Sequence, residues 1–369
     1  MPSGSPPLNN PSQQKILEPP SLRVETLQGF HLPLLTDPAF VPLQPQIQRA
    51  LLLGLPERWL QRISHAPCLA PAVLVASLER QHPLALIISR RLNRSGSCWQ
   101  VDHLRLASSP SAATISRAEL ATALLREAIQ RGRGAASWIA RACSQDSERL
   151  AVLRQQGFQP VRTDTLWRWC PSQQDNRNHP LPSELQWRPL NRSSAPLLWH
   201  LEQAACSAHL RQLLDRRSED LLDQSGNQGW MLVDQARSQA VAGIRKLRLH
   251  PQGGLELELT VHPLWSQLVG EPCEALLRRL APAAQTIWLR CEDNDTRRHQ
   301  WLASIGAEIH GEQMLMARSV WRRQDPQPTQ QAARRIEAVL AQLQPGRRSL
   351  PTPWLHPPAT AGGQQPLPR

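Results

Sequence analysis

The feature that most constrains the fold is a helix-to-strand ending that occurs twice. In each copy a helix-forming segment stops at a glycine, Gly157 or Gly306, and a strand-forming segment follows. Glycine readily adopts the left-handed conformation that ends many helices. The two glycines lie 149 positions apart. Three other pairs keep nearly the same spacing: Trp138 and Trp288, Leu124 and Leu276, Trp169 and Trp321. A shared spacing of this kind indicates an internal duplication.

Apolar periodicity predicts the same order of elements in both halves. In the first half, strands are predicted over 22–27, 72–78, 83–89, 97–106, 136–140 and 165–169, with helices over 47–63, near 120–129 and over 144–156. In the second half, strands are predicted over 185–190, 230–233, 240–249, 255–261, 286–289 and 314–321, with helices over 195–214, 273–280 and 295–305. The fold class is therefore α/β (α+β), built from two tandem units.

Composition divides the chain into five parts. Residues 1–20 are rich in Ser, Pro, Asn and Gln, and residues 324–369 are rich in Pro and Gln. Both segments are predicted to be disordered tails, the second carrying one amphipathic helix over 329–343. A polar segment over 171–183 lacks apolar periodicity and is expected to be a linker. The two domains are expected over 21–170 and 184–323.

The cysteines and the apolar runs indicate in which cellular compartment the protein is expected. The seven cysteines are scattered and form no C-x-x-C pair, as expected for reduced thiols in a cytoplasmic protein without a structural metal. No apolar run reaches the roughly 18–20 residues that a membrane span needs, and the N-terminal segment shows no apolar core of a secretory signal. We therefore expect a cytoplasmic protein that has no membrane-spanning segment and binds no metal.

The net charge of +12 points to nucleic acid as one partner class. Almost all the basic residues are arginines, and Lys15 and Lys246 are the two lysines. Tyrosine is absent as well. Such a skew is more typical of a compositional bias than of a selected binding face, so nucleic acid is the less favoured partner.

Three segments carry a resemblance to a known family. They are Ala-Val-Leu-Arg-Gln-Gln-Gly-Phe-Gln-Pro-Val at 151–161, Trp-Leu-Ala-Ser-Ile-Gly-Ala at 301–307, and the strand, loop and helix that run from Leu257 to Leu277. With the order of elements, they resemble the GNAT superfamily of acyl-CoA N-acyltransferases over about 22–170 and 185–322. The resemblance implies two GNAT-like domains, each a mixed, mostly antiparallel sheet flanked by helices. It also implies acetyl-CoA as co-substrate and transfer of an acetyl group, by direct attack, to the amine of a small molecule or a protein.

The same resemblance points to a phosphate-binding loop. The family's loop reads Gln/Arg-x-x-Gly-x-Gly/Ala, and Gln267, Gly270 and Pro272 fall on its named positions, with proline in place of the last small residue. A helix N-terminus offers unpaired N–H groups and a positive dipole end to a pyrophosphate. The implied cofactor-binding residues are Val261, Gln267, Leu268, Val269, Gly270, Glu271, Pro272 and Asn294. An ordinary strand-to-helix turn is the alternative interpretation.

The first copy lacks this loop. The corresponding segment, 107–123, contains no glycine. Glu119 falls near the position of the family's first glycine, where a carboxylate would repel phosphate. The first copy is therefore expected to be degenerate, and catalysis is expected in the second.

Acylation of an amine needs a base and benefits from an acid that protonates the leaving thiolate. Strand alternation over 255–261 places Glu256, Glu258 and His262 on one face. In the resembling family a glutamate on this strand often acts as the base, which makes Glu258 the first candidate, Glu256 the second and His262 the third. A solvated polar face is the alternative interpretation.

The family's acid is commonly a tyrosine four residues before the helix-ending glycine. Leu153 and Leu302 occupy those positions, and the chain has no tyrosine. Water or Cys273 could protonate the thiolate instead. The alternative function is a non-catalytic GNAT-like protein that binds a protein or nucleic-acid partner through its basic surface.

Overall fold

Strands and helices alternate along the first half of the chain. The computed structural model describes residues 22–63, 70–78, 83–108, 115–132, 134–171, 181–281 and 285–319. The first-half elements are Leu22–Thr26 (β1), Gln44–Ile63 (α1), Ala72–Leu78 (β2), Pro83–Arg91 (β3), Cys98–Leu106 (β4), Arg117–Arg131 (α2), Ser137–Cys143 (β5), Ser147–Gln155 (α3) and Gln159–Trp169 (β6). Short 3-10 helices at Gly29–Leu34 and Val41–Leu43 precede α1.

The second half repeats this order. Its elements are Leu185–Pro189 (β7), Ala195–Ala205 (α4), Ala208–Leu214 (α5), Ser218–Ser225 (α6), Gly229–Asp234 (β8), Gln239–Leu249 (β9), Leu255–Val261 (β10), Glu271–Leu280 (α7), Ile287–Glu292 (β11), Thr296–Ser304 (α8) and Glu308–Ser319 (β12). A 3-10 helix at Pro263–Leu268 joins β10 to α7. The predicted α/β fold with repeated units is confirmed in its order of elements.

Several predicted boundaries were wrong for local reasons. The helix predicted to begin at residue 144 begins at Ser147, because Asp146 caps α3 by accepting the Arg149 N–H. The helix predicted over 195–214 is two helices, because Ser207 caps a new one. The last strands, β6 and β12, begin about six residues earlier than predicted. Helix α6 was not predicted. The predicted tails, the tail helix over 329–343 and most of the linker lie outside the described residues.

Both helix-ending glycines have the conformation predicted for them. Gly157 has φ +81° and Gly306 has φ +78°. Each helix before the glycine begins at an aspartate cap, Asp146 for α3 and Asp295 for α8. The repeat therefore includes both ends of this helix.

One twelve-stranded sheet holds both halves, in the order β1-β2-β3-β4-β5-β12-β6-β11-β10-β9-β8-β7. Neighbouring strands are antiparallel except for the parallel pairs β4–β5 and β10–β11. The last strand of each half is exchanged: β12 lies between β5 and β6, and β6 lies between β12 and β11. Because the halves share one sheet, the limits 21–170 and 184–323 remain a proposal about the repeat unit.

Helices cover the sheet with separate apolar clusters. Residues of α2 and α3 pack with β2, β3 and β5 in one cluster, and residues of α7 and α8 pack with β9, β10 and β11 in another. A third cluster crosses between the halves, since Leu210 and Leu213 of α5 pack with Ile139 of β5 and Leu315 of β12. None of the helices in the described ranges is both long and apolar enough to span a membrane.

Candidate active site

The parallel strands β10 and β11 separate part of the way along their length. They pair from Leu255 with Ile287 to Leu257 with Leu289, and the described pairing stops there. On its other side β10 continues to pair with β9 as far as Val261 with Ala242. The edge of β10 that faces β11 is therefore open beyond Leu257. A cavity of about 460 Å³ lies at this split, which we call the β10–β11 cavity. Its volume is in the range of small-molecule sites.

Both halves of the chain line this cavity. The second half supplies Glu202 from α4, Glu258 from β10 and Arg298 from α8. The first half supplies Arg141 from β5 and Arg162 from β6. The exchange of the last strands explains this mixture, because it places β6 directly beside β11.

Glu258 belongs to a ring of two acids and two arginines. Arg245, which is 1% exposed, pairs with Glu202 at 2.7 Å and also donates to the Glu258 carboxylate. Arg216 pairs with Glu202 at 3.3 Å and lies 3.9 Å from Glu258. Burial alone would raise the pKa of Glu258, but the charges of Arg245 and Arg216 outweigh it and lower the pKa to about 2. The carboxylate is therefore ionised at neutral pH and weakly basic. A third of its side chain, 33%, remains exposed.

The other two candidate bases do not line the cavity. Glu256 is 2% exposed, held by Arg248 at 2.8 Å and by Arg290. Burial would raise the pKa of Glu256, and those two cations instead hold it far below its usual range. His262 caps the 3-10 helix after β10, where its Nδ1 accepts the Leu264 N–H at 3.2 Å. The geometry thus argues against Glu256 and His262 as bases and leaves Glu258 facing the cavity.

Gly270 lies at the start of α7, in the segment where the phosphate loop is predicted. It is the N-cap of α7 and has φ +151°, a conformation that L side chains rarely adopt. A Cβ built on it would meet no atom within 4 Å, so the backbone is open to close approach. Glu271 and Pro272 begin the helix, and Glu274 completes its first turn with a pair to Arg278 at 2.7 Å. The two carboxylates suit the helix dipole but reduce its attraction for phosphate.

The other predicted cofactor residues differ in exposure. Val261 and Asn294 line the β10–β11 cavity, at the end of β10 and in the turn before α8. Gln267 is exposed on the 3-10 helix. Leu268 is buried in the core, and Val269 is half-buried with its N–H donated to the Ser266 carbonyl. Leu268 can thus contribute only backbone atoms to a ligand.

Neither of the two positions where the resembling family commonly carries its tyrosine acid holds an acidic side chain. Leu153 and Leu302 are both buried in apolar clusters. Cys273 also lies in the core, where burial raises the pKa of its thiol to about 12. Its burial removes it from the cavity and argues against the acid role.

Arg298 is one of the cationic groups in this region that the sequence did not predict. It lies one helical turn before Leu302, lines the cavity and donates to the Leu259 carbonyl at 3.4 Å. It also pairs with Asp295 at 3.2 Å. A guanidinium here can stabilise negative charge without transferring a proton.

In the first half, the N-terminus of α2 is satisfied by its own residues. Ser116 accepts the Glu119 N–H at 3.1 Å, and the Glu119 carboxylate accepts the Ser116 N–H at 3.0 Å. Glu119 therefore lies in the first turn of the helix, where this capping box occupies donors that an anion would need. No group of three His, Cys, Asp or Glu residues within the described ranges is placed to hold a metal ion.

Similarity to known proteins is found in the structure and not in the sequence. No protein-family model matches the sequence, and no curated protein sequence matches it. A Pyrococcus horikoshii protein classed as an acetyltransferase aligns with a TM-score of 0.51 and 10% identity, covering 85% of this chain and 94% of that one. The GCN5-related glucosamine N-acetyltransferase region of a fungal multi-domain GH3 β-N-acetylglucosaminidase aligns with a TM-score of 0.51 and 11% identity, covering 82% of this chain and 38% of that one. A tandem GNAT protein from the clavulanic acid biosynthesis pathway aligns with a TM-score of 0.48 and 13% identity, covering 82% of this chain and 100% of that one. The chain has the fold of the GCN5-related N-acetyltransferase (GNAT) superfamily.

Proposed function

We propose that the protein is an N-acetyltransferase that transfers an acetyl group from acetyl-CoA to an amine at the β10–β11 cavity. The observation that carries the proposal is the open edge of β10, which lines this cavity and is followed in the chain by a 3-10 helix and the Gly270 N-cap of α7. The acetyltransferase names of the aligned structures support the same reaction class.

The residues present fit coenzyme A in two places. The open edge of β10 after Leu257 offers backbone groups to the amides of a pantetheine arm, as a sheet edge does to an added strand. Gly270 and the first turn of α7 offer backbone N–H groups to the pyrophosphate. Asn294 at the cavity wall can donate or accept a further hydrogen bond.

The transfer itself is balanced by one bond made and one broken. The acceptor ammonium first gives a proton to water; the neutral amine nitrogen then bonds to the acetyl carbonyl carbon, the carbon–sulfur bond breaks, sulfur leaves as a thiolate, and a second proton passes from the nitrogen to solvent. Glu258 attracts and orients the ammonium form of the acceptor, since its carboxylate is ionised and faces the cavity. Arg298 stabilises the charge of the leaving thiolate.

Acetyl-CoA is expected to bind and stabilise the protein, and Gly270→Asp is expected to prevent this. Ligand at 100 times its Kd adds about 2.7 kcal/mol to the free energy of unfolding. An aspartate at Gly270 adds strain at φ +151° and a carboxylate beside the phosphates. We expect at least 10-fold weaker binding, measured by thermal unfolding with increasing acetyl-CoA.

The matched control is Gly134→Asp. Gly134 also has a positive φ, +84°, with no atom within 4 Å of a built Cβ, but it lies in the turn before β5. The control should keep the acetyl-CoA shift. If wild-type protein shows no shift at saturating acetyl-CoA, the proposed function is wrong.

The rate of acetyl transfer is expected to follow the pKa of the acceptor amine. Because the pKa of Glu258 is about 2, its charge does not change between pH 5 and 8. We expect kcat/KM to rise with pH until the amine is deprotonated, and Glu258→Gln to lower the rate about 10- to 100-fold without moving the profile. Initial rates of thiol release across pH 5–9 measure this. An inflection near neutral pH that vanishes in Glu258→Gln would instead identify Glu258 as a general base.

A non-catalytic, partner-binding protein is the second candidate. Two observations favour it: the carboxylates of Glu271 and Glu274 in the first turn of α7, and the leucines at the usual tyrosine position. The acetyl-CoA titration separates the two candidates, because a partner-binding protein would show no shift.

A further inference from the structure

The wall of the β10–β11 cavity carries more arginines than carboxylates. Six arginines and four carboxylate side chains line it. The arginines are Arg141, Arg162, Arg211, Arg216, Arg290 and Arg298. A cavity with this excess favours a ligand that bears negative charge.

Four of these arginines have a close carboxylate of their own. Arg162 lies 2.9 Å from Asp164, Arg216 3.3 Å from Glu202, and Arg298 3.2 Å from Asp295. Arg290 donates to Glu256. Arg211 is exposed and donates to the Gln203 carbonyl, so water screens its charge. The charges of these five arginines are therefore already paired or screened in the absence of a ligand, and Arg298 still lines the cavity where the transient charge of a thiolate would form.

Arg141 differs from the others. Its ion pair in the described structure is a 3.9 Å contact with Asp164, whose carboxylate Arg162 holds more closely. The Nε of Arg141 is buried and has no hydrogen-bond partner among the described residues. The same is true of Arg162, Arg216 and Arg298, but each of those three has a carboxylate within 3.3 Å. Burial and the nearby charge of Arg290 lower the pKa of Arg141 to about 9, so the side chain is still a cation at neutral pH. Its charge is incompletely compensated while 23% of its side chain stays exposed.

We propose that Arg141 binds a carboxylate of the acceptor, so that the acceptor is a small amine that also carries a carboxylate, such as an amino acid. This inference rests on the proposed function for its chemistry. A carboxylate matches the two-pronged geometry of a guanidinium and would supply the missing anion. Arg141 and Glu258 line the same cavity, so one small molecule can place its carboxylate on the first and its ammonium on the second. A volume of about 460 Å³ suits such a molecule.

The proposal assigns a substrate-binding residue to the first half of the chain. Arg141 lies on β5 and reaches the second half's cavity because β12 and β6 are exchanged. The first half thus contributes to acceptor recognition even though its own α2 N-terminus is capped by Ser116 and Glu119.

Free amino acids and their methyl esters are the probes that test the proposal. Each is titrated into the full-length protein, with and without acetyl-CoA, and binding is followed by calorimetry and turnover by thiol release. We expect at least one amino acid to bind and its methyl ester to bind about 10- to 100-fold more weakly, as for loss of a charge-assisted hydrogen bond. Arg141→Gln should raise KM for the acid by a similar factor, leaving kcat and the ester little changed.

The control variant is Arg211→Gln, since Arg211 is exposed on the same cavity. It should leave the preference for the acid intact. Equal binding of acid and ester, binding of neither, or an Arg141→Gln variant that keeps the preference would each overturn the proposal. Because amino-acid binding is measured without acetyl-CoA as well, a failure of the proposed function appears separately, as the absence of an acetyl-CoA shift.

Discussion

Neither half of the chain is expected to fold by itself as a monomer. Strand β6 pairs with β12 on one side and β11 on the other, and both partners belong to the second half. In a fragment that ends at residue 171, β6 would lose every described strand partner. β5 would keep only its parallel pairing with β4 at four positions. Unpaired backbone groups and apolar residues would then be exposed at the sheet edge.

A fragment of the first half would also lose contacts that lie outside the sheet. Helix α5 covers Ile139 of β5, and the Ser137 hydroxyl donates to the Leu213 carbonyl at 2.5 Å. The Asn93 amide donates to the Leu214 carbonyl at 3.1 Å. A fragment of the first half would lose these groups together, leaving a buried polar site and an apolar face exposed to water.

The experiment compares three preparations. Residues 1–171 and 172–369 are produced separately and together, and a full-length chain with a protease site between 171 and 181 is cleaved after folding. Size-exclusion chromatography and circular dichroism should show unfolded or aggregated single fragments. The cleaved chain should remain one particle of unchanged secondary structure. A monomeric fragment with cooperative unfolding would show that the exchanged strands are dispensable.

The sequence was sufficient to predict most of the segments that become strands and helices. Apolar runs located β2 and β10 at their observed limits, and Gly157 and Gly306 marked the ends of α3 and α8. These features depend on local periodicity and on the conformational freedom of glycine. Helix α6 was missed because its eight residues are mostly polar and its short apolar face gives little periodic signal.

The pairing of the last strands could not be predicted in the same way. The apolar pattern of β6 and β12 is the same whether each lies in its own half or in the other, so periodicity does not decide the partner. The site was expected in the second half alone because the segment 107–123 of the first half lacks a glycine. Arg141 and Arg162 were therefore not predicted, since they reach the cavity only through the exchange.

The ion pairs that the β10 carboxylates form with arginines could not be predicted from the sequence either. Alternation along β10 correctly put Glu256 and Glu258 on one face, and that face was expected to meet water or substrate. In the fold, Arg245 and Arg216 surround one carboxylate while Arg248 and Arg290 enclose the other. Those arginines lie 8 to 42 positions away in the sequence. The pKa of each carboxylate is a property of the assembled sheet, which spacing within β10 does not reveal.

Glu256→Gln is expected to destabilise the protein strongly. The Glu256 carboxylate is 2% exposed and neutralises Arg248 and Arg290 together. A neutral amide would leave those guanidinium groups buried with less compensation, although Arg248 keeps Asp102 at 3.1 Å. Breaking a buried pair of this kind typically costs about 3–5 kcal/mol. The free energy of unfolding, measured in urea at pH 7, should fall by that amount.

The pH dependence and a matched variant identify the cause of this loss. The folded-state pKa of Glu256 lies below its usual value of 4.5, so the stability it contributes is present above about pH 4.5 and declines as the pH falls toward the folded value. The gap between wild type and Glu256→Gln should therefore narrow in acid. Glu292→Gln is the control, because Glu292 is 44% exposed and its partner Arg162 keeps Asp164 at 2.9 Å. That control should cost less than about 1 kcal/mol. Equal effects of the two variants, or a gap that does not change with pH, would show that the buried charge of Glu256 is not what stabilises this part of the sheet.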